Sequence, residues 1–139
     1  MKTQLHFWIV AGITFLTASA CTNDDVNPRD PPPVFSDDPW RVTWYWDQDK
    51  DETSDLAPYV FYFRSGNLLE AQRNGVTTSG TWQVISDDGS QRLVIQLSQD
   101  KPLSDLNDDW VITESTDNRI KLRDDNTTHL EELFFERGG

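Results

Sequence analysis

The stretch "PYVFYFRSGNLLEAQRNGVTTSGTWQVI", residues 58–85, decides the fold, because apolar and polar side chains alternate in it between turn signals. Tyr59, Phe61 and Phe63 fall on one face of an extended segment, since successive side chains of a strand point to opposite faces. Asn74-Gly75 separates two such segments and is the strongest short hairpin signal in the chain. The stretch therefore predicts antiparallel strands that follow one another through tight turns.

The same period of two continues on both sides of this stretch. It is present in "WRVTWYW" (40–46), "RLVIQL" (92–97), "DWVITES" (109–115), "RIKLR" (119–123) and "HLEELFFER" (129–137). In the first of these segments, strict alternation places four residues on one face, Trp40, Val42, Trp44 and Trp46. Residues 101–108 favour a helical turn. About eight short segments with turns between them predict an all-β fold, a small antiparallel meander barrel.

Composition limits the kinds of partner and the source of stability. The chain has 139 residues and a formal net charge of −12. Phosphate backbones repel such a surface, so nucleic acid is excluded as an expected partner. One cysteine cannot form an internal disulfide, and the fold therefore needs a packed core, which six Trp, three Tyr and seven Phe can supply.

Residues 1–20 are typical of a signal peptide. Lys2 precedes an uncharged apolar run over residues 7–20, which is shorter than the about 20 residues that a membrane-spanning helix needs. The small residues "ASA" (18–20) come directly before Cys21. The alternatives are an ordinary secretory signal that is cut at the same place and a retained membrane helix.

The segment "TASAC" (17–21) resembles the lipobox of bacterial lipoproteins. This resemblance implies that Cys21 receives a diacylglycerol thioether and becomes the first residue of the mature chain. The acidic, proline-rich residues 21–38 are then expected to form a disordered, lipidated tether. Thr22, in place of Asp, favours the outer membrane. Asp24-Asp25 resembles the export signal of surface lipoproteins of Bacteroidetes, or else only solvates the tether.

A series of motifs runs through the rest of the chain in the order "PWRVTWYW", "YVFYFRSGNL", "GTWQVI", "RLVIQL", "DDWVI", "NRIKLR" and "LEELFFER". In this order they resemble the lipocalin-like lipoproteins of Bacteroidetes. The resemblance implies a lipocalin-like β-barrel domain over residues 39–137 and a protein of the cell envelope.

Two sets of side chains are candidates for binding. An apolar pocket for a small ligand is expected from six aromatic residues, unless they only fill the core: Trp44, Trp46, Phe61, Phe63, Trp82 and Trp110. Exposed tryptophans would stack on a glycan instead. An acidic loop offers the oxygen ligands that calcium prefers, unless it is only a solvated hairpin, through Asp47, Asp49, Asp51 and Asp55.

The residue pattern gives no reason to expect an enzyme. His129 is the one histidine beyond the signal segment, a lipidated Cys21 is no nucleophile, and no phosphate-binding glycine loop is present. Acidic doublets such as Asp108-Asp109 and Asp124-Asp125 are interpreted as solvated turn residues. Apart from the candidate calcium ion, no cofactor is expected.

Two functions remain open at this stage. The first is a lipid-anchored outer-membrane lipoprotein, on either the periplasmic or the cell-surface face, that binds a small apolar ligand or a glycan. The second is a non-enzymatic structural subunit of an outer-membrane protein complex, with a filled barrel.

Overall fold

A computed structural model of the chain describes residue 35 and residues 37–138. Its strands are β1 (Trp40–Asp47), β2 (Lys50–Asp51), β3 (Val60–Arg64), β4 (Leu68–Arg73), β5 (Val76–Asp87), β6 (Ser90–Gln96), β7 (Asp108–Ser115), β8 (Arg119–Arg123) and β9 (Glu131–Arg137). Its helices are the short α1 (Thr53–Leu56) and two 3-10 helices, Ser65–Asn67 and Leu103–Leu106. The predicted signal segment, Cys21 and all but the last few tether residues lie outside the described part of the chain.

The sheet closes on itself because β1 pairs along its length with β9, the last strand. From β3 to β9 each strand pairs with its successor in the chain, and β1 meets β3 where Trp40 opposes Phe61. The two-residue β2 only extends a hairpin at the end of β1. The remaining eight strands form a closed antiparallel barrel, which confirms the predicted all-β meander.

Tight turns form where the sequence predicts them. Asn74 and Gly75 connect β4 to β5 with φ values of 51° and 76°. Asp88 and Gly89 connect β5 to β6 with φ values of 48° and 77°. Two successive positive φ values characterise the type I′ turn, whose twist matches that of the paired strands. The hairpin prediction at Asn74-Gly75 is confirmed.

A β-bulge in β1 changes which side chains face the interior. The ladder between β1 and β9 steps past Thr43, so that two residues of β1 oppose one residue of β9. Beyond the bulge, Tyr45 is 2% exposed and faces inward, whereas Trp44 and Trp46 face outward. The prediction that these two tryptophans share the inner face with the start of β1 is wrong, because strict alternation takes no account of a bulge.

Apolar side chains fill the interior of the barrel. The buried residues that the barrel strands contribute are Trp40, Val42, Tyr45, Phe61, Phe63, Leu69, Ala71, Leu93, Ile95, Trp110, Ile120, Leu122, Leu133 and Phe135. Phe135 packs edge to face on Phe61 and Phe63, with ring centroids 5.3 and 5.4 Å apart. The interior is therefore a packed core in which side chains from strands that do not pair with each other touch.

Both ends of this core are covered. Where β1 begins, Phe35 packs on Phe63 and Trp82, with ring centroids 4.3 and 4.8 Å apart. Where β1 ends, Leu56 of α1 and Leu106 of the second 3-10 helix are fully buried. The sequence predicts the second of these helical turns but gives no signal for α1. No helix among the described residues is long and apolar enough to cross a membrane.

Candidate functional site

The six candidate aromatic residues do not line a common pocket. Four of them, the fully buried Phe61, Phe63 and Trp110 and the half-buried Trp82, belong to the core. The other two, from β1, lie on the outside of the barrel. The structure therefore separates rings that hold the barrel together from rings that a ligand can reach.

The two outer tryptophans stack on each other on the outside of the barrel. The rings of Trp44 and Trp46 stack with centroids 5.8 Å apart and planes inclined by only 7°. Trp44 Nε1 donates to Glu132 Oε2 at 3.1 Å, and Trp46 Nε1 donates to the backbone oxygen of Gln48 at 3.1 Å. Both indoles are partly exposed. Their orientation is fixed by these hydrogen bonds before any ligand arrives.

Trp44 and Trp46 belong to a larger surface on β1, β9 and β8, which we call the outer aromatic face. It consists of three cross-strand rows, Arg41–Glu136–Arg119, Trp44–Phe134–Lys121 and Trp46–Glu132–Arg123, with the bulged Thr43 beside the middle row. The Phe134 ring lies 6.4 Å from the Trp44 ring and 5.1 Å from Lys121 Nζ. A shallow cleft of about 330 Å³ on this face is lined by Thr43, Trp44, Arg119, Lys121, Phe134 and Glu136.

The outer aromatic face carries four basic residues although the protein as a whole is acidic. Two of them are paired, Arg119 Nε with Glu136 Oε1 at 2.9 Å and Lys121 Nζ with a Glu114 oxygen at 3.1 Å. The other two, Arg41 and Arg123, are exposed and form no ion pair within 4.0 Å with any residue that the structure describes. Both guanidinium groups are therefore open to an anionic ligand.

The four aspartates of the acidic loop are spread along a hairpin and a helix. Asp47 ends β1, Asp49 lies in the turn, and Asp55 is exposed in α1. Asp51 Oδ1 accepts the N–H of Thr53, the first residue of α1, at 2.9 Å. Within residues 37–138, no three of these aspartates bring carboxylate oxygens within 4.8 Å of one another. Calcium at this loop stays a prediction, without a convergent ligand set to support it.

A different set of carboxylates converges where β1 ends, and we call it the acidic cluster. One oxygen from each of Asp108, Asp124 and Glu131 lies within 4.8 Å of the other two. Asp108 and Glu131 begin β7 and β9, and Asp124 directly follows β8. Each is two positions from a buried residue of that strand, so the period of two directs all three toward the barrel axis. Extending the alternation one step past each apolar segment gives the inward direction of each carboxylate, which the interpretation of the doublets as turn residues misses.

Ionisation is unfavourable in the acidic cluster. Partial burial, with added repulsion from Asp47 and Asp124, raises the pKa of Glu131 to about 7. Burial is also the largest cause that raises the pKa of Asp108, and Asp124 adds to it. The cluster can therefore hold a proton near neutral pH. The three oxygens that converge, one from each residue, fall short of the six to eight that calcium requires, and the cluster identifies no ligand by itself.

The second aspartate of each doublet points outward and binds Arg92. Arg92 Nη1 lies 3.3 Å from Asp109 Oδ2 and 2.8 Å from Asp125 Oδ2. Its Nε lies 3.7 Å from Asp87 Oδ2, and the side chain is 9% exposed. This arginine joins the end of β5, the start of β7 and the segment after β8. Its role is structural.

These features define a small closed antiparallel barrel of lipocalin-like architecture with a candidate binding surface on its outside. The chain matches no protein-family model, and neither curated proteins nor solved structures match it. The resemblance to lipocalin-like lipoproteins of Bacteroidetes stays a prediction. Any function has to be inferred from the site itself, because a barrel fold alone hosts many functions.

Proposed function

We propose that this protein is a non-enzymatic binding module of the cell envelope, held to the outer membrane by a lipid on Cys21. Its barrel is a solid scaffold, and its ligand or partner binds the outer surface. The packed interior is the single observation that carries this proposal. A barrel that is filled by its own side chains leaves no room for a ligand inside.

Burial at the centre of the barrel supports a surface site over an interior pocket. Small-molecule pockets usually have volumes of about 300–1,000 Å³ and are lined by apolar side chains. Phe61, Phe63 and Phe135 would line such a pocket, but all three are fully buried and pack on one another. A small apolar ligand would have to displace these rings. The outer aromatic face needs no such rearrangement.

Charge supports a lipid anchor. A chain with a formal net charge of −12 is repelled by anionic lipid headgroups, so electrostatic attachment is unfavourable. Two or three acyl chains on one residue give stable anchoring, whereas one chain binds a membrane only marginally. The lipobox resemblance supplies a single residue for this modification, Cys21.

Metabolic labelling tests the anchor. Cells that express the chain are grown with tritiated palmitate, and wild type is compared with Cys21→Ser. Label is expected only in the wild-type protein, which should sediment with outer membranes. Proteinase K added to intact cells then reports whether the barrel lies on the cell surface. Equal label in the two proteins would remove the basis for the anchor.

Native mass spectrometry tests the filled interior. The full chain is released from a detergent micelle in the gas phase and weighed. The expected mass is that of residues 21–139 with the covalent lipid alone. A small apolar molecule that stays bound through this procedure, and is lost on unfolding, would show that the barrel holds a ligand and would overturn the scaffold role.

A further inference from the structure

We propose that the outer aromatic face binds an acidic glycan, a chain of sugars that carry carboxylate or sulfate groups. This inference rests on the proposed function, in which the barrel binds through its outside. It adds the site, the ligand class and the residues that would recognise the ligand.

The aromatic rings supply the apolar half of such a site. One face of a sugar ring is lined by C–H groups, and it packs on the electron-rich face of an aromatic side chain. Trp44 and Trp46 offer two nearly parallel rings, and Phe134 adds a third, 6.4 Å from Trp44. Hydrogen bonds from both indoles fix the rings in place, so little conformational entropy is lost when a ligand binds.

Arginine side chains supply the polar half. A guanidinium group binds a carboxylate or sulfate through two parallel N–H bonds, a geometry that lysine does not offer. Arg41 and Arg123 are exposed without an ion pair to a described residue, in a protein whose acidic side chains outnumber its basic ones by two to one. Two free arginines beside three aromatic rings match an anionic ligand that also has an apolar surface.

The two free arginines occupy opposite corners of the outer aromatic face. Arg41 is in the first row on β1, and Arg123 is in the third row on β8, two strands away. The ordinary strand spacing and rise place their Cα atoms roughly 17 Å apart. The middle row, with Trp44 and Phe134, lies between them. A single sugar is shorter than this diagonal, so the face fits an oligosaccharide with anionic groups along its length.

A glycan fits this face better than an acidic peptide does. Extended peptides commonly bind by adding a strand to an open sheet edge. The barrel closes through the pairing of β1 with β9, and the outer aromatic face lies on the very strands that close it. What the face offers is aromatic rings and side-chain donors on the outside of a closed sheet, with its backbone groups already paired.

Calorimetric titration tests the inference with defined probes. The full chain, in a sugar-free detergent, is titrated with tetragalacturonate, with a heparin-derived tetrasaccharide and with cellotetraose, the neutral control. We expect at least one anionic probe to bind and to change tryptophan fluorescence. Cellotetraose should bind at least tenfold more weakly. The two anionic probes distinguish carboxylate from sulfate recognition.

Variants locate the site. Trp44→Ala should weaken binding of the anionic probe at least tenfold, and Arg41→Gln and Arg123→Gln should each weaken it several-fold. The matched control is Arg73→Gln, an exposed arginine at the end of β4, and it should leave the Kd unchanged. Circular dichroism checks that each variant is folded. Because Arg41 and Arg123 are exposed, their variants keep the test valid even if Trp44→Ala is unstable.

Three outcomes would overturn the inference. The first is binding of neither anionic probe at 1 mM, and the second is equal binding of cellotetraose. The third is binding of a hexaglutamate peptide as tightly as the anionic glycans, which would assign the face to an acidic protein segment. None of these results alters the palmitate or mass-spectrometry outcomes, so a failure of the ligand class is distinct from a failure of the proposed function.

Discussion

At the scale of single residues, Glu131 shows how position in the barrel sets chemistry. It lies at the start of β9, where Asp47, Asp108 and Asp124 are its neighbours. Partial burial and these charges raise its pKa from 4.5 to about 7. Below pH 4.5 the carboxyl is protonated in both the folded and the unfolded state and has no effect on stability. Between pH 4.5 and about 7 the unfolded state loses this proton while the folded state keeps it, so stability falls over this range and levels off at higher pH.

Glu131→Gln should therefore stabilise the protein at high pH. We expect a gain in the free energy of unfolding of about 1–2 kcal/mol at pH 8 and little change at pH 4. A full shift would imply roughly 3 kcal/mol, but solvent screens a partly exposed carboxylate. Urea denaturation at both pH values measures the difference.

Asp117→Asn controls for the loss of one negative charge from an acidic protein. Asp117 is exposed in the turn between β7 and β8, so its variant should show no comparable gain at pH 8. If Glu131→Gln changes stability equally at pH 4 and pH 8, the carboxyl is not strained in the folded state, and the assigned cause is wrong.

Residue-level prediction from the sequence succeeds for burial and fails for the acidic doublets. Aromatic periodicity identifies Phe61, Phe63 and Trp110 as one apolar set, and all three are buried. In each doublet the first aspartate points inward and the second binds Arg92. The period of two along a strand predicts that the two aspartates of a doublet point to opposite faces of the sheet. The convergence of three strands on one point depends on the register of the closed sheet, which no local pattern encodes.

At the scale of elements, Gly80 is fixed by a close approach between strands. A Cβ atom at this position would lie 2.1 Å from the Gln96 backbone oxygen and 2.6 Å from the Leu97 Cα. Both are backbone atoms that cannot move aside without distorting β5 and β6. This close approach explains the glycine in the "GTW" motif.

Gly80→Ala should destabilise the barrel by about 2 kcal/mol or more, because the added methyl group forces backbone shifts. Urea denaturation measures the change, and Ser79→Ala is the matched control on the same strand. Ser79 is exposed, so its variant should change stability by less than about 0.5 kcal/mol. Equal effects of the two substitutions would show that the strands can separate at this point at no cost.

The bulge in β1 gives a second prediction at this scale. Thr43 has no partner of its own in the ladder with β9. Its deletion converts "WRVTWYW" into a regular alternation that keeps Trp40 and Tyr45 inside and Trp44 outside. We therefore expect the deletion variant to fold cooperatively and to lose less than about 2 kcal/mol. Circular dichroism checks that the variant is folded, and urea denaturation measures the loss in free energy of unfolding.

Deletion of Lys121 is the contrasting case. β8 pairs regularly with β9, so a missing residue in its middle moves Ile120 or Leu122 to the outer face. This variant should not fold cooperatively. If both deletion variants fold cooperatively, or neither does, the bulge does not explain how β1 accommodates one residue more than β9.

At the scale of the whole molecule, the sequence predicts the barrel well and the binding surface poorly. Hairpin signals and period-two segments are local, and they lead to eight strands in meander order. The outer aromatic face arises from closure, which brings β1 and β8 to the two sides of β9 although about 80 residues separate them in the chain. The bulge at Thr43 is equally invisible, yet it turns Trp44 and Trp46 from core candidates into surface residues.

If the barrel is a scaffold and its outer face is the site, stability and binding can be separated at two adjacent residues of β9. Phe135 is buried on Phe61 and Phe63, so Phe135→Ala should cost about 3–5 kcal/mol of unfolding free energy. It should leave the affinity of the folded protein for tetragalacturonate unchanged.

Phe134 points outward beside Trp44 and Lys121, so Phe134→Ala should cost less than about 1 kcal/mol but weaken tetragalacturonate binding several-fold. Urea denaturation and calorimetry on the two variants measure both properties. Phe135→Leu provides a milder core change if the alanine variant is too unstable to titrate. Loss of affinity in the core variants, with none in Phe134→Ala, would place the ligand inside the barrel, because only an interior site would respond to the core and ignore the surface.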